Sequence, residues 1–288
     1  MKSFLYHKPK NLAKAIDLLT QHAGRIALLA GGTDLLVDIK KRLRAPSHMV
    51  DLKGLSSLEG IDANPNGSLR IGPLTTLSMI GRSPLLGKPW NILAQAASKV
   101  GSLQVRNRAT IGGNICRASP SGDTLPALLC LEASVNLAGP SGPRTLLLRD
   151  FFHGPGRSSL QSNEILTDIL LPPIPGGSVG IYKKLSLKKA VDLAVVGVAV
   201  LGIRGQAEGH FQEVRIALGA VSPTPIRASG AEERLKGSKI TEAAIQEAGQ
   251  VAVQEAQPIS DLRGSEWYRR ELIRHVTMQA IRELVTRA

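Results

Sequence analysis

Apolar positions along the chain repeat with three different rhythms. In "NLAKAIDLLTQHA" (11–23), Leu12, Ile16 and Leu19 fall on one helical face. "RIALLA" (25–30) is a short apolar run that ends at Gly31-Gly32, as a buried strand does at a turn. "DLLVDIKKRL" can start a helix at that break, and "HMVDLKG" (48–54) reads as a strand. A small α/β unit over residues 1–55 is expected. "GSLRIGP" (67–73) opens a second unit, 56–175, with a strand. "TTLSMIGR" and "PWNILAQAASKVG" follow as helices, and "RNRATIGGNICRASPSGD" (106–123) reads as a glycine-rich loop. A short helix, "TLPALLCLE", and strands "SVNLAG", "RTLLL" and "EILTDILLP" complete it. "PPIPGG" (172–177) punctuates the chain as a domain boundary does.

Beyond it, residues 176–288 begin with long strands, "VGIYKKLSL", "LAVVGVAVLGIRG" and "HFQEVRIALGAV", with "GQAEG" as the turn between the last two. Helices follow: "GAEERLKG", "TEAAIQEAGQVAVQEA" and "SEWYRRELIRHVTMQAIRELVTR". In the last, Ile273, Val276, Ala280 and Leu284 share a face. Strands followed by helices predict an α+β fold, here ending in a three-stranded antiparallel sheet with helices.

Composition narrows the function. The chain has 288 residues and a formal charge of +13, but its basic residues are scattered, with one cluster at Lys40, Lys41, Arg42 and Arg44. Aromatic side chains make up 3% and do not interleave with the basic ones, so no nucleic-acid surface is expected. The longest apolar run, 193–203, is well short of the roughly 20 residues a membrane helix needs, and no membrane insertion is expected. The start, "MKSFLYHKPK", carries charge where the apolar core of an export signal would sit. Cys116 and Cys130 are too few for a Cys-rich metal centre. As reduced thiols they fit a cytoplasmic address.

Candidate chemistry concentrates in two places. Glycines after a strand free backbone N–H groups, and a helix beginning there adds a positive end, so Gly31-Gly32-Thr33-Asp34 can hold phosphate. The alternative is a plain strand-to-helix turn with Asp34 as cap. Thr110-Ile111-Gly112-Gly113-Asn114 has the same character, and two such loops suit one ligand with two phosphates. Neither a dinucleotide G-x-G-x-x-G after the first strand nor a P-loop is present. The histidines (His7, His22, His48, His153, His210, His275) show no ligand spacing and read as surface or core residues. Asp123 is either a carboxylate beside the second loop or a helix cap. Lys183, Lys184, Lys188 and Lys189 read as solvated strand ends or as a basic site. The residues alone point to a diphosphate-containing cofactor with little acid–base or metal chemistry.

"LLAGGTDLL" and "RNRATIGGNICRASPSGD" resemble the two cofactor loops of the FAD-binding (medium) subunits of molybdenum hydroxylases, the carbon monoxide dehydrogenase and xanthine dehydrogenase family. "YKKLSLKKAVDLAVVGVAV", "RIALGAVSPTPIRASGAEERLKG" and "DLRGSEWYRRELIRHV" resemble the later blocks of that family, in the same order. The resemblance implies a two-part N-terminal FAD-binding domain (PCMH-type) and FAD as cofactor. It implies a large molybdopterin-binding partner, a small partner with [2Fe-2S] clusters, and assembly as a dimer of heterotrimers. The chain would relay electrons from those clusters through FAD to an external acceptor. A self-sufficient FAD-dependent oxidase or dehydrogenase is the alternative. By the same resemblance Leu29, Ala30, Gly31, Gly32, Thr33, Asp34 and Leu35 wrap the FAD diphosphate. Thr110, Ile111, Gly112, Gly113 and Asn114 form the second wall, and Asp123, Lys184 and Asp192 match further cofactor positions. No catalytic residue is expected. Flavin subunits of the 4-hydroxybenzoyl-CoA reductase type carry an inserted Cys-rich loop for a [4Fe-4S] cluster. Here "GNICRASPSGDTLPALLCLEA" runs on uninterrupted, so no metal is expected. The pair after the first glycines usually differs in carbon monoxide dehydrogenases, so carbon monoxide is not favoured over an aldehyde, purine or N-heterocycle as substrate.

Overall fold

The computed structural model describes residues 2–188, 191–204, 211–237 and 240–287. The expected turn at 205–209, His210 and Lys189 lie outside the described residues. The first unit is β1 (Leu5–His7), α1 (Leu12–Gln21), β2 (Ile26–Leu29), α2 (Leu35–Lys40) and β3 (His48–Asp51). Its strands are parallel in the order β1-β3-β2. The apolar rhythm gave no warning of β1, whose Leu5 and Tyr6 are exposed. Asn11 caps α1 by accepting from the Lys14 N–H. Ala15, Leu18 and Leu19 pack on Val50 and Leu52.

The second unit contains β4 (Ile61–Ala63), β5 (Leu69–Ile71), α3 (Leu77–Arg82), α4 (Asn91–Ser98), α5 (Leu103–Arg106), α6 (Ile111–Arg117) and α7 (Thr124–Cys130). It continues through β6 (Ser134–Gly139), β7 (Gly142–Leu147), β8 (Phe152–Gly154), β9 (Arg157–Ser158) and β10 (Ile165–Leu171). Five of these strands form one antiparallel sheet, β4-β5-β10-β6-β7. Helix α7 is buried on every side, with Cys130 fully enclosed and its thiol pushed up to about 12 by burial. Both cysteines are free thiols.

Glu164, just before β10, takes two bonds from Arg144 at 2.6 and 2.7 Å and one from the Gln161 N–H at 2.8 Å. The Arg144 guanidinium holds this carboxyl below the ordinary glutamate range, against the opposing effect of burial. Because the folded value lies below the unfolded one, the stabilisation is complete above the ordinary glutamate range. It is lost as pH falls through the folded value. Wild type should therefore lose more melting temperature on acidification from neutral pH than Glu164→Gln does. Parallel acid melts of the two proteins check this.

The third unit is β11 (Val179–Leu185), β12 (Val196–Arg204), β13 (Phe211–Gly219), β14 (Ile226–Arg227), α8 (Ser229–Glu233), α9 (Glu242–Glu255) and α10 (Glu266–Arg287). The expected three antiparallel strands are present, but β14 adds a fourth, pairing Ile226 and Arg227 with β13. Two residues are too short to show a period. Strand β12 is apolar at nearly every position because both of its faces are covered. Val198 and Val200 meet the α9–α10 side, while Ala199 and Leu201 join the core built on α4 and α7. Ile273, Val276, Ala280 and Leu284 of α10 are buried as their spacing predicts. Burying each of the larger ones contributes about 1.5–3 kcal/mol. Arg269 is buried beside them, donating to the carbonyls of Val195 and Ala220 at 2.9 Å each and to Asp261 at 2.7 Å. No described helix is long and apolar enough to cross a membrane.

Candidate functional site: a cleft between two glycine segments

Strand β2 stops at Leu29, and the two glycines after it are required for different reasons. Gly32 has φ +77°, a backbone region that side chains resist. Gly31 lies so close to the chain before α6 that a Cβ would stand 2.1 Å from the Arg108 carbonyl oxygen. The close approach therefore joins the two glycine segments directly. The N–H groups of Gly31 to Asp34 have no acceptor among the described residues, and α2 starts immediately afterwards. Asp34 occupies the cap position of α2 without capping it. Its carboxylate lies 3.8 Å from Arg117 instead.

The second segment differs from the expected loop: Ile111–Arg117 is helix α6. Thr110 caps it, its hydroxyl accepting from Gly113 N–H at 3.1 Å. Ile111 N–H donates to Thr75 and Gly112 N–H to Pro73, at 3.0 and 2.9 Å. The first-turn donors expected to meet a phosphate are thus spent on the protein. The helix still offers its positive end, Asn114 and the Thr110 edge. Asn114 is fixed by the Thr124 hydroxyl, which donates to its Oδ1 at 2.6 Å.

Both segments line one cleft of about 420 Å3. Ala30 to Leu35 form one wall, and Thr110, Gly113 and Asn114 the other. Asp123 and Asp192 reach the same space. Leu29, Ile111, Gly112 and Lys184 are not lining residues. Ile111 is fully buried, and Lys184 stands behind Asp123. Sequence reasoning missed the cationic side of the cleft. Arg117 donates to Asp38 at 2.8 Å and Arg44 lies 3.8 Å from the same carboxylate. Helical spacing alone could not show that α6 and α2 face each other. Val191, also at the cleft, holds φ +57°, which is strained for a β-branched residue. A second depression of about 490 Å3 lies elsewhere, at Glu132 and Arg227. Its Arg227 is occupied, donating to the Glu232 carboxylate at 2.6 Å.

Asp123 caps nothing. Its Oδ2 accepts from Lys184 Nζ at 2.7 Å and its Oδ1 from the Tyr182 hydroxyl at 2.8 Å, all but closed to water. Burial pushes the Asp123 carboxyl up, against the pull of Lys184 and Tyr182. Burial and the Asp123 charge push the Tyr182 phenol well above its ordinary value, so it stays a donor. Gln95 fixes the strand, accepting from Tyr182 N–H at 3.1 Å and donating to the Gly180 carbonyl at 2.9 Å. Lys184 is therefore not a solvated strand end. Lys183, one residue away, points to the other face and pairs with Glu283 of α10 at 2.6 Å. Asp192 accepts from the N–H groups of Lys188 and Leu193 at 3.0 and 2.8 Å.

Residues 2–174 match the family model of the FAD binding domain in molybdopterin dehydrogenase, and residues 181–284 match the CO dehydrogenase flavoprotein C-terminal domain. The chain belongs to this flavoprotein family. It is 34% identical over 284 residues to the xanthine dehydrogenase FAD-binding subunit of Escherichia coli O157:H7, covering 98% of this chain and 96% of that one. It is 34% identical over 278 residues to the carbon monoxide dehydrogenase medium chain of Hydrogenophaga pseudoflava, covering 96% of each. A solved structure of carbon monoxide dehydrogenase from the same organism, lacking the Mo-pyranopterin moiety, superposes with a TM-score of 0.95 at 34% identity. That match covers 100% of this chain and 99% of the other. This protein is thus an FAD-binding oxidoreductase subunit of a multi-subunit molybdenum hydroxylase.

Proposed function

We propose that the cleft between Gly31–Asp34 and Thr110–Asn114 is where this chain holds FAD, with the diphosphate against the unpartnered N–H groups of Gly31 to Asp34. The observation that carries this reading is the Gly31–Arg108 approach, a backbone cradle that any side chain would fill. Arg44 and Arg117 neutralise the phosphates, and the Asp123–Lys184–Tyr182 group fixes the deep wall. When bound, FAD supplies the electron-relay chemistry. The protein supplies position, charge and exclusion of water. At the cleft Asp38, Asp123 and Asp192 are each engaged by neighbours, which supports a relay without its own acid–base catalyst.

The same reading divides the chain at 1–55, 56–175 and 176–288. It assigns the subunit to a cytoplasmic dimer of heterotrimers with a large molybdopterin-binding and a small [2Fe-2S] subunit. The test is reconstitution of the purified chain. It should take up about one FAD per chain and bind FMN, which lacks the diphosphate, far more weakly. It should show no hydroxylase turnover alone. A chain that binds no flavin, or that turns over substrate unaided, would refute the proposal.

A further inference from the structure

Three histidines with no sequence motif meet at one end of the first sheet. His7 closes β1, His22 follows α1 as its C-cap, and His48 opens β3. Their rings stack: His22 and His48 are 3.6 Å apart between centroids, and His7 and His48 are 5.2 Å apart. His7 Nε2 and His48 Nδ1 are 2.9 Å apart, and one ring nitrogen from each of the three falls within 4.8 Å of the others. All three are half-buried. Their spacing along the chain gave no sign of this cluster.

We propose that His7, His22 and His48 form a binding site for one divalent transition-metal ion of the zinc, nickel or copper class. Imidazole nitrogens suit these ions. A tetrahedral Zn2+ with bonds of about 2.0–2.1 Å holds its ligand nitrogens about 3.3 Å apart. The His7–His48 nitrogens, hydrogen-bonded at 2.9 Å, and the third nitrogen within 4.8 Å are near that spacing. The rings, however, lie within about 21° of parallel. Binding the ion therefore requires them to give up that hydrogen bond and turn out of the stack until their in-plane lone pairs converge. Partial exposure leaves the fourth position to water. Arg25 lies close enough to act on His48, and among the described residues no carboxylate joins the cluster. The site therefore selects by imidazole affinity rather than by negative charge, and Ca2+ and Mg2+, which take oxygen ligands, are excluded.

The ion has a mechanical role. Strand β1 is three residues long, and its Leu5 and Tyr6 are 62% and 54% exposed, so little apolar burial holds it. A metal joining β1, α1 and β3 clamps the N-terminal strand to the sheet. His48 pairs with Ile26 at the start of β2, whereas Gly31 follows its other end, so the site is separate from the cleft.

The experiment uses the full-length chain without a histidine tag, stripped with chelator and titrated with Zn2+, Ni2+, Ca2+ and Mg2+ by calorimetry. One Zn2+ or Ni2+ per chain should bind and raise the melting temperature, while Ca2+ and Mg2+ leave it unchanged. His7→Gln, His22→Gln and His48→Gln should each weaken Zn2+ binding at least ~100-fold. His22→Gln removes the stacking on His48, so its metal-free melt is recorded beside that of the wild type, and the loss expected of it is the Zn2+-induced rise in melting temperature. A Cu2+ spectrum of the wild-type chain needs no variant, and should show hyperfine splitting from several imidazole nitrogens. No stoichiometric Zn2+ or Ni2+ binding, binding indifferent to the substitutions, or a Cu2+ spectrum without nitrogen splitting would each overturn the site.

Discussion

Gly31→Ala should purify with far less bound flavin than the wild type. The new methyl would stand 2.1 Å from the Arg108 carbonyl oxygen, 2.8 Å from its carbon and 2.9 Å from the Ala109 Cα. All three are backbone atoms, so relief requires the two glycine segments to move apart. Overpacking of this kind costs about 1–3 kcal/mol, and rigid backbone puts it near the top of that range. The same displacement widens the cleft, and about 3 kcal/mol lost from binding is roughly a 100-fold weaker affinity. Gly32→Ala is the control. There the added methyl meets only side-chain carbons of Leu29 and Leu36, at 3.0 and 3.1 Å, and the penalty is mainly that of φ +77°, about 1 kcal/mol. Flavin absorbance per purified chain and a thermal melt separate the two. Equal flavin content in Gly31→Ala and wild type would contradict the cradle.

Lys184→Met should be the most destabilising change at the site, while Lys183→Met should be nearly silent. Lys184 and Asp123 are 7% and 5% exposed, and removing the ammonium strands a buried carboxylate with one phenol donor. Breaking one side of such a pair costs about 3–5 kcal/mol, or roughly 10 °C for a chain of this size. The Lys183–Glu283 pair is 28% and 29% exposed, and pairs of that kind contribute about 0–1 kcal/mol. The double variant Asp123→Asn/Lys184→Met removes both charges and should recover part of the loss. Melting curves of the four proteins decide it. A larger loss from Lys183→Met than from Lys184→Met would mean that β11 is out of register by one residue.

Much of the fold was legible because its signals are local. A helical face such as Ile273–Val276–Ala280–Leu284 requires only that neighbours a turn apart be apolar, and all four are buried. Gly31, Gly32 and Gly113 marked both walls of the cleft because bare backbone is chemically conspicuous. The strand β1 went unread because three residues, two of them exposed, leave no period to detect. Helix α6 was hidden by its own glycines, which lower helix propensity but are tolerated where Thr110 caps the turn and Pro73 crowds it.

By itself the amino-acid sequence determined the periods, the turns, the order of elements and the two places where backbone is laid bare. Only the tertiary structure decided which faces meet. It brought Arg117 to Asp38 across 79 residues, Lys184 rather than Lys183 to Asp123, and His7, His22 and His48 into one cluster. The reason is the range of the forces. Dihedral preference and apolar periodicity act between residues a few positions apart, whereas ion pairs, ligand sets and close backbone approaches depend on distances that exist only after the layers have packed.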